Sequence, residues 1–309
     1  MGAYTDLESL IAMEYKARGF SLLPSQPVHS LLAGRRGSRM RGRGLNFEEL
    51  RNYVLGDDIR VIDWHVTARM RKPFVRVYTE ERDRSTLLIV DQRVNMFFGS
   101  RVSMKSVVAA EVAALAAWRV FQQGDRVGAF VFNDDTSEEV RPRRSRGTVL
   151  RVLETLVRQN RQLHATYVAQ PGGPRLNEVL HKVSQLIHRD HLIIIASDFD
   201  GADDTTREYL LRLSQHNDVV AVLTYDPLAV HLPPAGQLVV SDGELQVEIP
   251  FGDEKMRKSI LDASDRRMRH ILSWQREIRV PVMPISTAED VPWQVRRLLG
   301  HVAGSRAKR

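Results

Sequence analysis

The sequence contains no cysteine, which excludes disulfides, thiol nucleophiles, Fe–S clusters and cysteine-based zinc sites. A reducing compartment fits that absence without being required by it. No apolar run approaches the roughly 20 residues that span a bilayer. Residues 107–118, VVAAEVAALAAW, come nearest, but they carry a charge and are too short. The first residues, MGAYTDLESL, lack a basic stretch followed by a long apolar run, so no signal peptide is read there. The expectation is a soluble, cytoplasmic chain. Also missing are the G-x-x-x-x-G-K-[ST] phosphate loop, H-E-x-x-H and the G-x-S-x-G elbow. The ten histidines are scattered and read as surface or satisfied core residues. No catalytic constellation emerges, so the chain is expected not to be an enzyme.

What is present is ordinary globular material: 309 residues, 43% hydrophobic and 27% charged. Lys and Arg number 45 against 38 Asp and Glu, a net +7 that favours anionic partners without demanding them. Two textures divide the chain into an N-terminal basic module, 1–84, and a larger domain, 85–309. Thr5 and Glu8 read as a capping box. It opens a helix with the stripe Leu7, Leu10, Ile11 and Tyr15, ending at Gly19. The stretch GRRGSRMRGRG (34–44) reads as a loop. A second helix is expected from Asn46 to about Leu55, with Asn46 and Glu49 as its cap pair.

From residue 85 onward, apolar strands at 85–91, 126–133, 191–197 and 218–225 alternate with helices at 103–122, 148–160, 174–188 and 203–216. A β-hairpin near 237–249, turning at Asp242-Gly243, interrupts the rhythm. A charged helix at 253–278, the strand VPVMPI and a last helix at 289–299 complete it. Strands apolar throughout, alternating with helices, indicate an α/β fold with a doubly wound, mostly parallel sheet covered on both faces. Ligands of such sheets bind outside the carboxyl ends of the strands. Asp91 and Asp198 both sit at such ends and should face one crevice.

Two readings of that pair stay open: oxygen ligands for a hard divalent cation, or caps of the helices that follow the strands. Aspartyl-phosphate chemistry would need a second aspartate two residues after Asp91, and Arg93 stands there. The loop arginines Arg35, Arg36, Arg39, Arg41 and Arg43 could bind phosphates of nucleic acid or lipid. They lack interleaved aromatics for base stacking, so a solvated or partner-facing loop is preferred. In segment 56–81, Asp57, Asp58 and Asp63 alternate with Arg60, Arg69 and Arg71 around Trp64. That pattern reads as a salt-bridged structural element.

The same segment carries a resemblance. The run Gly42-Arg43-Gly44-Leu45-Asn46-Phe47, then Leu50-Arg51-x-Tyr53, Gly56-Asp57-Asp58-x-Arg60-x-Ile62-Asp63-Trp64 and Ala68-Arg69 resembles the signature of domain-of-unknown-function family 58. Val90-Asp91, Met96-Phe97-Phe98-Gly99 and Gly124-Asp125-Arg126-Val127-Gly128 fit the same family, and the resemblance spans roughly residues 28–225. It implies a von Willebrand factor A-like domain, whose metal-ion-dependent adhesion site follows the pattern D-x-S-x-S with a later threonine and aspartate. Asp91 and Asp198 match the two aspartates, Thr148 the threonine, and Arg93 and Asn95 replace the serines. Asparagine can offer a carbonyl oxygen, whereas arginine cannot ligate a cation. The site is therefore degenerate, Mg2+ being the ion it would take if it binds one. The alternative is that the Arg93 guanidinium occupies the cation's place and pairs with Asp91 or Asp198. The resemblance further implies a chaperone-like adaptor acting with a MoxR-type AAA+ ATPase on client proteins, with no cofactor. Nucleic-acid or anionic-lipid binding through the arginine loop is the alternative, peripheral membrane contact staying open, and a metal-dependent phosphohydrolase is the weaker one.

Overall fold

Runs of Val, Ile and Leu satisfy their buried backbone N–H and C=O groups by pairing in a ladder, and they bury both faces only beneath helices. The computed structural model describes residues 2–18, 45–54, 59–80, 85–164, 175–187, 189–229, 237–241, 246–250 and 254–303. In chain order the elements are α1 (Leu7–Lys16), β1 (Leu45–Asn52), α2 (Trp64–Met70), β2 (Phe74–Glu80), β3 (Ser85–Asp91) and α3 (Lys105–Gln122). Next come β4 (Arg126–Phe132), β5 (Ser137–Arg143), α4 (Arg146–Asn160), α5 (Leu176–Leu186), β6 (His191–Ser197), α6 (Asp204–Ser214) and β7 (Asp218–Tyr225). The last are β8 (Gln237–Ser241), β9 (Gln246–Pro250), α7 (Glu254–Glu277), β10 (Val282–Ser286) and α8 (Val291–Ala303). Among the described residues no helix is long and apolar enough to cross a membrane.

Six strands form one sheet in the order β10-β7-β6-β3-β4-β5. All neighbours are parallel except β4 and β5. This is the doubly wound, mostly parallel α/β sheet expected from the sequence. The antiparallel edge strand β5 was not among the expected elements. Its sequence, SEEVRPR, alternates between half-buried and exposed and lacks the apolar run by which the other strands are read. Gly128 permits the pairing, because a Cβ there would lie 2.4 Å from the Val140 carbonyl oxygen.

Helix α3 crosses one face and buries Val, Ala and Leu side chains on nearly all its sides. It stops where Gly124 takes a left-handed φ of 84°. Helix α1 packs on it: Leu10 and Met13 join the same core, and Trp118 donates its indole N–H to the Leu10 carbonyl at 3.0 Å. The N-terminal helix therefore belongs to the larger unit, although its position in the sequence placed it in a module ending at residue 84. Its N-cap is Asp6, which accepts the Ser9 N–H at 2.8 Å, in place of the expected Thr5. Thr5 is buried and gives its own N–H to Asn160 Oδ1 at 2.9 Å.

In the smaller unit, residues 45–52 form a strand where a helix was expected. They pair antiparallel with β2 from Leu45↔Glu80 to Asn52↔Phe74, with one irregularity between Phe47 and Glu49. Pairing with the β-branched and aromatic run FVRVYTE overrides the local helical pattern. Asp63 caps α2, accepting the N–H groups of His65 at 3.0 Å and Val66 at 3.2 Å. The turn of the expected hairpin, Asp242-Gly243, lies outside the described residues, while its strands β8 and β9 pair antiparallel.

Candidate functional site

The chain lays down β3, β4 and β5 outward on one side, then returns to place β6, β7 and β10 on the other. The reversal falls between β3 and β6, so the crevice of this fold opens at their carboxyl ends. Asp91 ends β3 and Asp198 follows β6 directly, and both are buried. Each makes the same tight turn: Asp91 Oδ1 accepts the Arg93 N–H at 3.0 Å, and Asp198 Oδ1 accepts the Asp200 N–H at 3.0 Å.

Arg93 turns inward. Its Nε donates to Asp91 Oδ1 at 3.0 Å and its Nη2 to Asp91 Oδ2 at 2.7 Å, a bidentate fork. The guanidinium also reaches the Asp200 carbonyl at 3.2 Å and lies 5.6 Å from the Phe132 ring centroid. Burial by itself would lower the Arg93 pKa. The charge and hydrogen bonds of Asp91, aided by Asp198 and Asp134, outweigh that and raise it. Ser197 completes the shell by donating Oγ–H to Asp91 Oδ2 at 2.7 Å.

Asp198 is held by a second cation. Lys105, the first residue of α3, pairs with Asp198 Oδ2, and Asn95 donates Nδ2–H to Asp198 Oδ1 at 2.7 Å. A lysine in the first turn of a helix opposes the helix dipole; here the buried carboxylate offsets that. Phe199 then adopts a left-handed φ of 54°, unusual for an aromatic residue, while its ring packs edge-on against Trp274 at 5.2 Å. On the rim, Asp200 pairs with Arg267 at 2.7 Å.

The arrangement does not fit a divalent cation. All four carboxylate oxygens of Asp91 and Asp198 already accept hydrogen bonds, and two protein cations stand among them. Asn95 turns its amide N–H, not its carbonyl, toward Asp198. Thr148 does not join this site. Strand β5 runs antiparallel to β4 and ends with Arg143 opposite Val127, so α4 starts at the edge of the sheet away from Asp91. There Thr148 bonds Ser145 at 2.8 Å and accepts from Arg151 at 3.3 Å.

Sequence reasoning missed Lys105, Ser197 and two further aspartates. Asp134 accepts the Val94 N–H at 2.6 Å, and burial pushes its carboxyl above the usual range against that bond and Arg93. Asp226, just past β7, is buried and takes hydrogen bonds from Ser100 N–H and Oγ–H, both at 2.7 Å, and from Leu228 N–H at 2.9 Å. Lys105 left one sequence signal: it is the only cation of its helix before Arg119.

Of the other predicted site residues, Asp63 is the α2 cap, and Trp64 and Arg69 are exposed on that helix. Arg60 lies in the short turn Ile59–Val61. Arg35, Arg36, Arg39, Arg41, Arg43, Asp57 and Asp58 lie outside the described residues.

Residues 49–270 match the family model described as "Protein of unknown function DUF58". The uncharacterized protein Rv1480 of Mycobacterium tuberculosis (strain ATCC 25618 / H37Rv) is 28% identical over 276 residues, covering 88% of this chain and 84% of that protein. The uncharacterized protein Mb1516 of Mycobacterium bovis is similar to the same extent. Among solved structures, the conserved hypothetical protein BatB from Bacteroides thetaiotaomicron aligns with a TM-score of 0.43 at 10% identity, over 71% of this chain and 98% of that one. The SpRpn10 VWA domain aligns with a TM-score of 0.37 at 10% identity, over 70% and 95%.

Proposed function

Starting from the fact that this chain belongs to the DUF58 family of proteins of unknown function, we propose that it is a non-enzymatic adaptor. It binds other proteins through the Asp91/Asp198 end of its sheet and works with a MoxR-type AAA+ ATPase in the maturation or assembly of clients. The observation that carries the reading is the state of the crevice. Both carboxylates are tied to the chain's own Arg93 and Lys105. Neither is then free to act as a base or nucleophile, and the pairs hold a fixed, metal-independent surface ringed by Asp200 and Arg267. The partner and the chaperone-like role follow from the family resemblance alone. No specific observation favours the nucleic-acid, lipid or phosphohydrolase readings.

The test is a pull-down from native lysate with the tagged full chain, with and without ATP. A charge-reversing variant on the exposed rim, Arg267→Glu, serves as the control. The reading expects a MoxR-type ATPase enriched in a nucleotide-dependent way and lost in the variant, with added EDTA making no difference. Recovery of nucleic acid or lipid with no ATPase, or capture that EDTA abolishes, would overturn it.

A further inference from the structure

Away from the crevice, the outer strand β5 and helix α4 enclose a groove of about 460 Å³. Its lining is charged: Arg141 and Arg143 from β5, Arg151 and Arg158 from α4, and the glutamates Glu139 and Glu154 between them. Two of the four arginines have carboxylate partners. Arg158 pairs with Glu138, and Arg141 lies 3.7 Å from Glu139 while staying 83% exposed. Arg143 and Arg151 have no carboxylate partner among the described residues, the one bond from Arg151 going to the neutral Thr148 hydroxyl. Two permanently charged forks therefore open into one ligand-sized groove with their carboxylate-binding geometry unused.

We propose that this groove binds an acidic segment of a partner protein, whose carboxylates seat on Arg143 and Arg151. Nucleic acid is the poorer occupant for two reasons. None of the lining residues is aromatic, so bases have nothing to stack on. Glu139 and Glu154 interrupt the positive potential that a continuous phosphate backbone follows, whereas a peptide can place its acids at the two free forks. β5 stands at the edge of the sheet, so an extended segment can lie along it. The closely set Pro142 and the surrounding charges keep that edge from indiscriminate strand pairing. This inference does not depend on the role given to the crevice.

A fluorescein-labelled hexaglutamate peptide is the probe, titrated by anisotropy into the full chain at low and high salt. Binding at low salt should weaken about tenfold or more in Arg143→Gln/Arg151→Gln. It should be unchanged in Arg35→Gln/Arg36→Gln, which lowers the charge of the basic stretch 34–44 by the same amount. Glu154→Gln removes a competing carboxylate from the groove and should tighten binding, a gain that misfolding cannot imitate. Any one of three results would overturn the proposal: no binding at low salt, equal binding by the groove variant, or loss in the Arg35→Gln/Arg36→Gln variant instead. A labelled oligothymidylate that binds the groove more tightly than the peptide would replace it with a nucleic-acid site.

Discussion

Arginine is used in opposite ways at two places in this molecule. At the carboxyl end of β3, Arg93 is 12% exposed and shares two hydrogen bonds with the fully buried Asp91. In the β5–α4 groove, Arg143 and Arg151 are exposed and pair with no carboxylate among the described residues. The residue type is the same, and the free energies differ because desolvation differs. Removing Arg93 strands a charge that water cannot reach, while removing Arg143 returns nothing to the protein and takes nothing from its core. The first arginine should govern stability and the second recognition.

The sharpest way to break that comparison is Arg93→Ala. An uncompensated buried carboxylate should destabilise the fold by about 3–5 kcal/mol, read as a lower urea midpoint at unchanged slope. If the double variant Asp91→Asn/Arg93→Met is no more stable than Arg93→Ala, the pairing energy is not where the geometry places it. Lys105→Ala should cost less, about 2 kcal/mol, because Asp198 keeps the bonds from Asn95 and the Asp200 N–H.

Glu111 falls between the extremes. It interrupts the apolar α3 near α1 and α8. Burial, then the Asp290 carboxylate, push its carboxyl up to about 7 against the pull of Lys16. A raised carboxyl pKa means the folded state holds the proton more tightly than the unfolded state does. Its ionisation therefore weakens the fold progressively as pH climbs from the ordinary 4.5 to about 7, and fully above that. Glu111→Gln should accordingly stabilise by about 1–2 kcal/mol at about pH 8 and hardly at all at about pH 4. A variant whose thermal midpoint follows the parent's at both pH values would show that the carboxyl ionises normally.

What the sequence reveals follows the same division between buried and exposed. The parallel strands β3, β4, β6 and β7 are legible because burial on both faces writes them as apolar runs, and the strand-end aspartates come with them. Strand β5 is exposed at the sheet edge and reads as mixed charge, and missing it has a structural consequence. One unseen antiparallel strand reverses which end of the sheet α4 starts from, and so Thr148 is assigned to the wrong end. The strand at 45–52 is missed for a related reason: its partner β2 lies over twenty residues away, and only pairing fixes it. Lys105 lies 93 residues from Asp198 in sequence, and the two meet only because β6 pairs beside β3.

The smallest expected effect is also the most discriminating one. Arg143→Gln/Arg151→Gln should shift stability by less than about 0.5 kcal/mol, since exposed substitutions without a packed or paired partner seldom do more. Arg151 forfeits a single 3.3 Å bond to Thr148, which Ser145 still satisfies. A loss well beyond that bound would mean that the groove arginines hold β5 against α4, which would give them the same structural duty as Arg93. An unchanged melt together with lost hexaglutamate binding separates the two roles within a single pair of substitutions. Charge that the fold does not use for itself is charge available to a partner.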